Sequence, residues 1–113
     1  MISAYRQQAQ LFKFLAHPLR LQVLDMLRHG EECVCHIQAA LGKPQPYISQ
    51  QMAVLRDAGL VLDRKDGLNV YYRLKDDQVT HLLQAALAED NATETVGKRL
   101  SVKGCPCPKC RAD

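Results

Sequence analysis

The chain has 113 residues, a net charge of +3 and 47% apolar side chains, the size and composition of one ordinary globular domain. No apolar run approaches the roughly 18 residues that cross a bilayer, and the polar first ten residues do not resemble a secretion signal. We therefore expect a cytoplasmic protein. In that compartment its five cysteines are more often metal ligands or redox groups than disulfides.

The positive charge is unevenly distributed along the chain. Residues 1–90 carry ten basic and ten acidic side chains, whereas residues 91–113 carry five basic and two acidic ones. Within the first part, residues 43–75 hold six bases against three acids. A local basic face of this kind can contact phosphate, although charge alone fits a solvated surface equally well.

Apolar periodicity and helix-end signals predict four helices in the first half of the chain. The first has its apolar residues at 11–15 and ends before Pro18, which suits the first turn of the second helix. The second stops at Gly30, and the third spans the apolar positions of 34–41, with a glycine placed to end it. The fourth begins in a proline-rich turn and runs over about 45–57.

The apolar period then changes from 3.6 to 2, which predicts a β-hairpin. Apolar residues alternate from Leu68 to Leu74, and the partner strand is 60–64, with Asp66-Gly67 predicted at the tip because both residues tolerate positive φ. Two acidic residues after the hairpin favour a helix start. The apolar stripe over 79–87 marks that last helix.

The order helix, helix, short helix, turn, helix, hairpin, helix predicts a mostly α fold with a small β-hairpin (α+β), a winged helix-turn-helix. The third and fourth helices are then the pair that reads DNA. We expect residues 1–90 to form the domain for DNA binding and dimerisation. Residues 91–113 are predicted to be a flexible tail that contains cysteines.

From about Leu11 to Leu87 the chain resembles the ArsR/SmtB family of metal(loid)-responsive repressors. Three stretches carry the resemblance: His17-Pro18-Leu19-Arg20-Leu21, Cys33-Val34-Cys35 and Leu55-Arg56-Asp57-Ala58-Gly59-Leu60-Val61. It implies a homodimer that pairs through its first and last helices. It also implies binding to an imperfect inverted repeat of operator DNA at the protein's own promoter, and release when an ion arrives.

Polar side chains on the fourth helix are the candidates for base contact, because amides and hydroxyls can donate to and accept from base edges in the major groove. They are Gln45, Tyr47, Ser49, Gln50 and Gln51. Lys43 beside the turn would contact the DNA backbone, and Arg64 with Lys65 at the hairpin tip would contact a phosphate or the minor groove. The alternative for each is a solvent-facing polar residue.

Cys33 and Cys35 are the first candidates for the inducer site. On a regular helix residues i and i+2 point about 200° apart, so two thiolates there would converge on one ion only after local unwinding. We therefore expect ligation to distort the start of the third helix, which supports the reading helix. The alternative is two buried, small apolar side chains.

A third ligand is less obvious. In the arsenic-sensing branch of the family a third cysteine often follows three residues after the second, and here that position is Gln38. His36 is a possible substitute for a borderline metal, although a surface or capping role is the commoner one.

The tail supplies further thiols in a CxCxxC spacing, at Cys105, Cys107 and Cys110. One of them would complete a three-sulfur site with Cys33 and Cys35, or the tail would form a three-sulfur site of its own. Trivalent arsenic or antimony, As(III) or Sb(III), suits three thiolates, whereas Cd, Pb, Hg or Zn would recruit a fourth ligand. An oxidation-prone terminus is the alternative.

The sequence also offers three alternatives to an ion sensor built from these cysteines. Zinc-sensing relatives use the last helix, and here only Asp76 matches, because Gln78, Glu89 and Ala92 occupy the other ligand positions. A repressor that senses oxidants or sulfane sulfur would use a disulfide or polysulfide instead of an ion. A thiol enzyme would need Cys107 and Cys110 in a strand-to-helix context, which the tail lacks, so no enzyme is predicted.

Overall fold

The computed structural model describes residues 2–87, which form five α-helices and one three-stranded antiparallel sheet. The helices are α1 (Ile2–Leu15), α2 (Pro18–Leu27), α3 (Val34–Leu41), α4 (Gln45–Asp57) and α5 (Gln78–Leu87). The strands are β1 (Glu32–Cys33), β2 (Val61–Asp66) and β3 (Asn69–Leu74), in the order β1-β3-β2. This arrangement confirms the predicted winged helix-turn-helix. The predicted boundary after residue 90 and the tail lie outside the described residues.

The helix ends agree with the signals read from the sequence. Pro18 stands in the first turn of α2, and Gly42 ends α3 in the left-handed region with a φ of +65°. Its N–H donates to the carbonyl of Gln38 at 2.9 Å. This cap turns the chain sharply enough for α4 to start at Gln45, so it determines how α4 sits against α3.

One apolar core holds the helices together. Ile37 of α3 and Ile48, Met52 and Leu55 of α4 are 0% exposed, and so is Leu24 of α2. Helix α4 therefore packs its inner face into a core that it shares with α2 and α3. No helix among residues 2–87 is both long and apolar enough to span a membrane.

The hairpin tip differs from its prediction. Asp66 pairs with Asn69, so the two-residue loop is Gly67-Leu68, and Leu68 is fully exposed instead of lying in the strand. Gly67 has a φ of +62°, and among residues 2–87 no residue other than glycine has a positive φ. A turn with glycine at its first central position needs positive φ there alone, so the predicted Asp66-Gly67 tip is wrong by one residue.

Strand β1 was not predicted. Glu32 pairs with Tyr72 and Cys33 with Tyr71, which adds β1 to the outer edge of β3. Two residues are too few to show a period of 2, and this strand forms because β3 offers backbone partners that are distant in sequence. Cys33 therefore belongs to a strand and precedes α3, whereas the sequence placed it with Cys35 on one helix.

We expect Gly42→Ala to lower the free energy of unfolding by about 1 kcal/mol, because a Cβ is disfavoured in the left-handed region. Among the described residues, no atom beyond Gly42, its chain neighbours and the adjacent helix backbone lies within 4 Å of the Cβ position, so the effect is conformational and not steric. Gly42→Asn is the control, since asparagine tolerates this region better. Denaturant titration measures both, and equal losses in the two variants would contradict the explanation.

Candidate nucleic-acid interface and thiol site

Helix α4 presents one polar face to solvent. Its apolar stripe is buried in the core, so the opposite side is free for contacts with another molecule. Gln45, Tyr47 and Gln50 are exposed on that side and Ser49 is half-buried. Tyr47 is 36% exposed, which is high for an aromatic side chain. The structure therefore brings four of the five predicted helix residues to the accessible part of α4.

Gln51, the fifth, is placed differently from its prediction. It is 9% exposed, and its Oε1 accepts a hydrogen bond from Nε of Arg20 at 2.9 Å. The Arg20 guanidinium also lies 5.8 Å from the ring centroid of Phe14. Gln51 thus faces α2, and it fixes the orientation of α4 instead of facing solvent.

The wing, residues 61–74, carries two of the predicted cations. Lys65 is exposed near its tip, and Lys43 is exposed beside the turn before α4. Arg64 has a more specific environment, because its Nη2 and Nε donate to the two carboxylate oxygens of Glu31 at 2.6 and 3.1 Å. This hydrogen bond is the main cause of the raised pKa of Arg64. Its guanidinium also lies over the Tyr71 ring, 4.6 Å from the centroid.

Cys33 and Cys35, the thiol pair, meet at the N-terminus of α3. Their Sγ atoms are in disulfide contact and their Cα atoms are 5.4 Å apart. Cys33 is the N-cap residue, with extended φ and ψ of −81° and 154°. Because Cys33 lies outside the helix, the two sulfurs converge without unwinding it, and the expectation that convergence needs local unwinding is wrong.

The thiol pair is sheltered on one side. Cys33 is 1% exposed and packs with Tyr71, which is 3% exposed, while Cys35 and Ala39 are half-buried against them. The Cys33 Sγ accepts a hydrogen bond from the backbone N–H of His36 at 3.2 Å. An N–H at a helix N-terminus stabilises negative charge on a sulfur. A reactant therefore reaches the pair from the side of Cys35.

His36 lies neither at the surface nor in a capping position. It is 2% exposed, and its Nε2 lies 3.3 Å from a carboxylate oxygen of Glu32, which is 4% exposed. A buried histidine usually needs such a partner for its ring nitrogen. The expected surface role of His36 is therefore corrected, and its side chain faces Glu32. Gln38, at the position of the family's third cysteine, is half-buried.

The start of α5 has a structural explanation. The Asp76 carboxylate accepts a hydrogen bond from the Gln78 N–H at 3.0 Å, a contact typical of an Asx turn before a helix. In the part of the chain that the structure describes, no group of three or more His, Cys, Asp or Glu side chains is arranged to hold a metal ion. Glu89, Ala92, Cys105, Cys107 and Cys110 lie outside the described residues.

Comparison with known proteins agrees with this architecture. The family described as "Bacterial regulatory protein, arsR family" matches residues 17–62, a range that contains α2, the thiol pair and α4. A biofilm growth-associated repressor of Agrobacterium fabrum is 42% identical over 80 residues, covering 71% of this chain and 68% of its own. The chain belongs to the ArsR/SmtB family. This is a family of regulatory proteins and not of enzymes.

Other proteins similar to this ArsR/SmtB chain include a named repressor and a DNA-binding domain of known structure. The arsenical resistance operon repressor of Escherichia coli is 52% identical over 66 residues, covering 58% of this chain and 56% of the repressor. Among solved structures, a homodimeric winged helix-turn-helix DNA-binding domain of Mycobacterium bovis, a possible ArsR-family transcriptional regulator, has a TM-score of 0.69. It is 33% identical, and the match covers 80% of this chain and 86% of that domain.

Two features near the site were not predicted from the sequence: the burial of Tyr71 and the pairing of Glu31 with Arg64. Tyr71 occupies a polar position in the alternation of β3, yet it is buried, because α3 covers the second face of the sheet. Glu31 has no periodic signal at all, and its partner Arg64 is 33 residues away. Two acids directly before the cysteine motif, together with an arginine in the first strand of the hairpin, were the available signal.

We expect Gln51→Ala to lower the free energy of unfolding by about 1 kcal/mol, because it removes the hydrogen bond with Arg20 between α2 and α4. The matched control is Gln50→Ala on the exposed face, which should change stability by less than about 0.5 kcal/mol. Thermal or denaturant unfolding measures both. A similar loss in the two variants would show that the Arg20 contact does not orient α4.

Proposed function

We propose that this chain is a homodimeric transcriptional repressor that binds operator DNA and releases it when a thiophilic ion, As(III) or Sb(III), binds Cys33 and Cys35. The observation that carries the proposal is the position of the thiol pair. Its two sulfurs converge at the N-terminus of α3, and α3 shares a fully buried core with the reading helix α4. A ligand at the sulfurs therefore acts on the support of α4.

The DNA contacts proposed here follow from the exposed polar groups. Gln45, Tyr47, Ser49 and Gln50 of α4 would contact base edges in the major groove, whereas Lys43, Lys65 and Arg64 would contact phosphate. Gln51 is removed from the base-reading set because it binds Arg20. A dimer places two such surfaces on one operator and doubles the number of phosphate contacts.

The dimer is supported by the apolar surface of α1. Ile2, Tyr5 and Phe12 are 70%, 69% and 54% exposed, and exposed groups of large apolar side chains often mark a protein–protein interface. The family resemblance implies pairing through the first and last helices, and the similar Mycobacterium bovis domain is homodimeric. A second copy of this chain is therefore the proposed partner of α1.

The ion chemistry needs reduced thiols. When arsenous acid is the inducer, each thiol replaces one hydroxide on arsenic, so that one arsenic–sulfur bond forms and one water leaves. Cys33 and Cys35 supply two bonds. The third sulfur would come from Cys105, Cys107 or Cys110, in the same chain or the partner. Cd, Pb, Hg or Zn at this site would need a fourth ligand.

Release also sets a thermodynamic requirement. The ion must bind the DNA-free protein more tightly than the DNA-bound protein, by the same factor by which it weakens operator affinity. The buried position of Cys33 against Tyr71 supports such a difference, because close-packed interiors do not accept added atoms without rearrangement.

Replacing both thiols tests the sensor. We expect Cys33→Ser with Cys35→Ser to retain DNA affinity and to abolish or sharply reduce release by arsenite, since serine is a poor ligand for soft ions. Fluorescence anisotropy of the reduced protein on DNA from upstream of its own gene measures both quantities. The control replaces Cys105, Cys107 and Cys110 with serine. A full response in the first variant would identify the tail as the sensor.

Replacing exposed lysines tests the backbone contacts. Lys43→Gln or Lys65→Gln should flatten the dependence of log affinity on log salt by up to about 1.8 per dimer, because two phosphate contacts are lost. Lys13→Gln on α1 is the matched control and should leave the slope unchanged. If all three variants keep the slope of the parent protein, these lysines do not contact phosphate.

A second candidate function is favoured by the disulfide contact itself. Cys33 and Cys35 are close enough to form a reversible disulfide, so the same repressor would sense oxidants. With hydrogen peroxide the two thiols lose two electrons and two protons, the sulfur–sulfur bond forms, and the peroxide becomes two waters. In a sulfane-sulfur sensor each thiol would take one sulfur atom from a polysulfide and become a persulfide, while a shorter polysulfide leaves. Attack of one persulfide on the other would then form a trisulfide between Cys33 and Cys35 and release hydrogen sulfide.

One titration separates the two candidates. The reduced protein on labelled operator DNA is titrated with arsenite, antimonite, cadmium, lead, zinc, hydrogen peroxide and polysulfide. Release by arsenite or antimonite at near-stoichiometric amounts supports the ion sensor, and a preference for cadmium or lead indicates four ligands. Release by peroxide or polysulfide alone supports the redox switch. Failure to bind DNA at low salt would overturn the repressor assignment.

A further inference from the structure

Cys33, Tyr71 and Arg64 stand in one row across the three strands. Cys33 pairs with Tyr71 on one side of β3, and Arg64 pairs with Tyr71 on the other. Residues directly opposite each other in antiparallel strands present their side chains on the same face of the sheet. Accordingly Tyr71 packs against Cys33, and its ring lies 4.6 Å from the Arg64 guanidinium. This row joins the thiol pair to the wing.

Glu31, which lies outside the sheet, binds the Arg64 end of this row. It lies just before β1, two residues from Cys33, and both of its carboxylate oxygens accept hydrogen bonds from Arg64, at 2.6 and 3.1 Å. Arginine binds a carboxylate and a phosphate in the same way, through two parallel hydrogen bonds from its guanidinium. The same Arg64 donors therefore cannot serve Glu31 and a DNA phosphate at once.

We propose that Glu31 competes with operator phosphate for Arg64, and that the Cys33–Tyr71–Arg64 row makes this competition depend on the state of the thiol pair. The inference rests on the proposed function for the DNA and for the ligand of the thiols. It goes further by assigning an intramolecular competitor that withholds a wing cation from DNA.

The packing of the row explains how a change at the thiol pair would affect the contact between Glu31 and Arg64. Cys33 and Tyr71 are 1% and 3% exposed, so atoms added at the Cys33 sulfur require either the Tyr71 ring or strand β1 to shift. A shift of β1 carries Glu31 with it, and a shift of the ring changes the surface on which the guanidinium lies. Arg64 then has two discrete positions, on Glu31 or on phosphate, which is what a switch requires.

A neighbouring acid provides the matched control. Asp66 also lies near Arg64, with its carboxylate 3.8 Å from Nη1, but it is 69% exposed and makes no paired hydrogen bonds of this kind with it. Glu31→Gln and Asp66→Asn remove the same charge near the same guanidinium. Any difference between the two variants therefore reports the geometry of the Glu31 contact and not the change in net charge.

The ion-free measurement tests the competition. We expect Glu31→Gln to tighten operator binding by about threefold per wing, hence about tenfold for a dimer, and Asp66→Asn to do so much less. In an Arg64→Gln background the gain from Glu31→Gln should disappear. Equal gains in the two acidic variants, or a gain that persists without Arg64, would overturn the proposal. Because the amide is isosteric with the Glu31 carboxylate and the side chain is only half-buried, circular dichroism and thermal unfolding should stay close to those of the parent protein.

The ion measurement tests the link to the thiols. Arsenite should weaken operator binding by a smaller factor in Glu31→Gln than in the parent protein, and by the parental factor in Asp66→Asn. Equal factors in all three proteins would show that the competition is independent of the thiols, which contradicts the second half of the proposal. If arsenite fails to release the parent protein, a polysulfide, which also adds atoms at the sulfurs, replaces it, and the same comparison decides the link.

These outcomes separate the inference from the proposed function. A parent protein that binds DNA but responds to none of the ions or oxidants refutes the sensor and the link to the thiols, while the ion-free comparison still decides the competition. A parent protein that is released normally, with no difference between Glu31→Gln and Asp66→Asn, refutes the inference alone. A parent protein that does not bind operator DNA at low salt refutes both.

Discussion

The pairing of β1 with β3 is the interaction on which the functional geometry depends. Two residue pairs, Glu32 with Tyr72 and Cys33 with Tyr71, attach the segment before α3 to the hairpin. This attachment gives Cys33 an extended backbone, directs its sulfur toward Cys35 and starts α3 at Val34. Because α3 in turn supports α4 through the core, the thiol pair, the reading helix and the wing share one frame.

The polar groups near the proposed DNA surface form contacts within the protein that order that surface. Arg20 holds Gln51 and thereby orients α4, and Glu31 holds Arg64 on the wing. Counting cations along the sequence therefore overstates the number available to phosphate. Lys43 and Lys65 are exposed, whereas Arg64 already binds Glu31 through Nε and Nη2, so the contribution that we propose for Arg64 in DNA binding depends on Glu31.

Periodicity predicted most of the fold because the helices are long enough to show it. α4 was predicted over 45–57 and occupies those residues, and Gly42 ends α3 as expected. The errors fall where one or two residues decide the outcome. The tip was predicted at Asp66-Gly67 and lies at Gly67-Leu68, because the turn needs positive φ at one position alone. Strand β1 was not predicted because it is too short to show a period.

The sequence by itself determined the order of elements, the family and the candidate thiols, because these depend on local propensity and on residue types within short stretches. Only the tertiary structure decided that Cys33 lies outside α3, that Gln51 faces inward, and that Glu31, Tyr71 and Arg64 lie together. Those facts depend on contacts such as Arg64 with Glu31 and Arg20 with Gln51, which span 33 and 31 residues. No local pattern encodes such contacts, since packing brings the partners together only when the sheet and the core have formed.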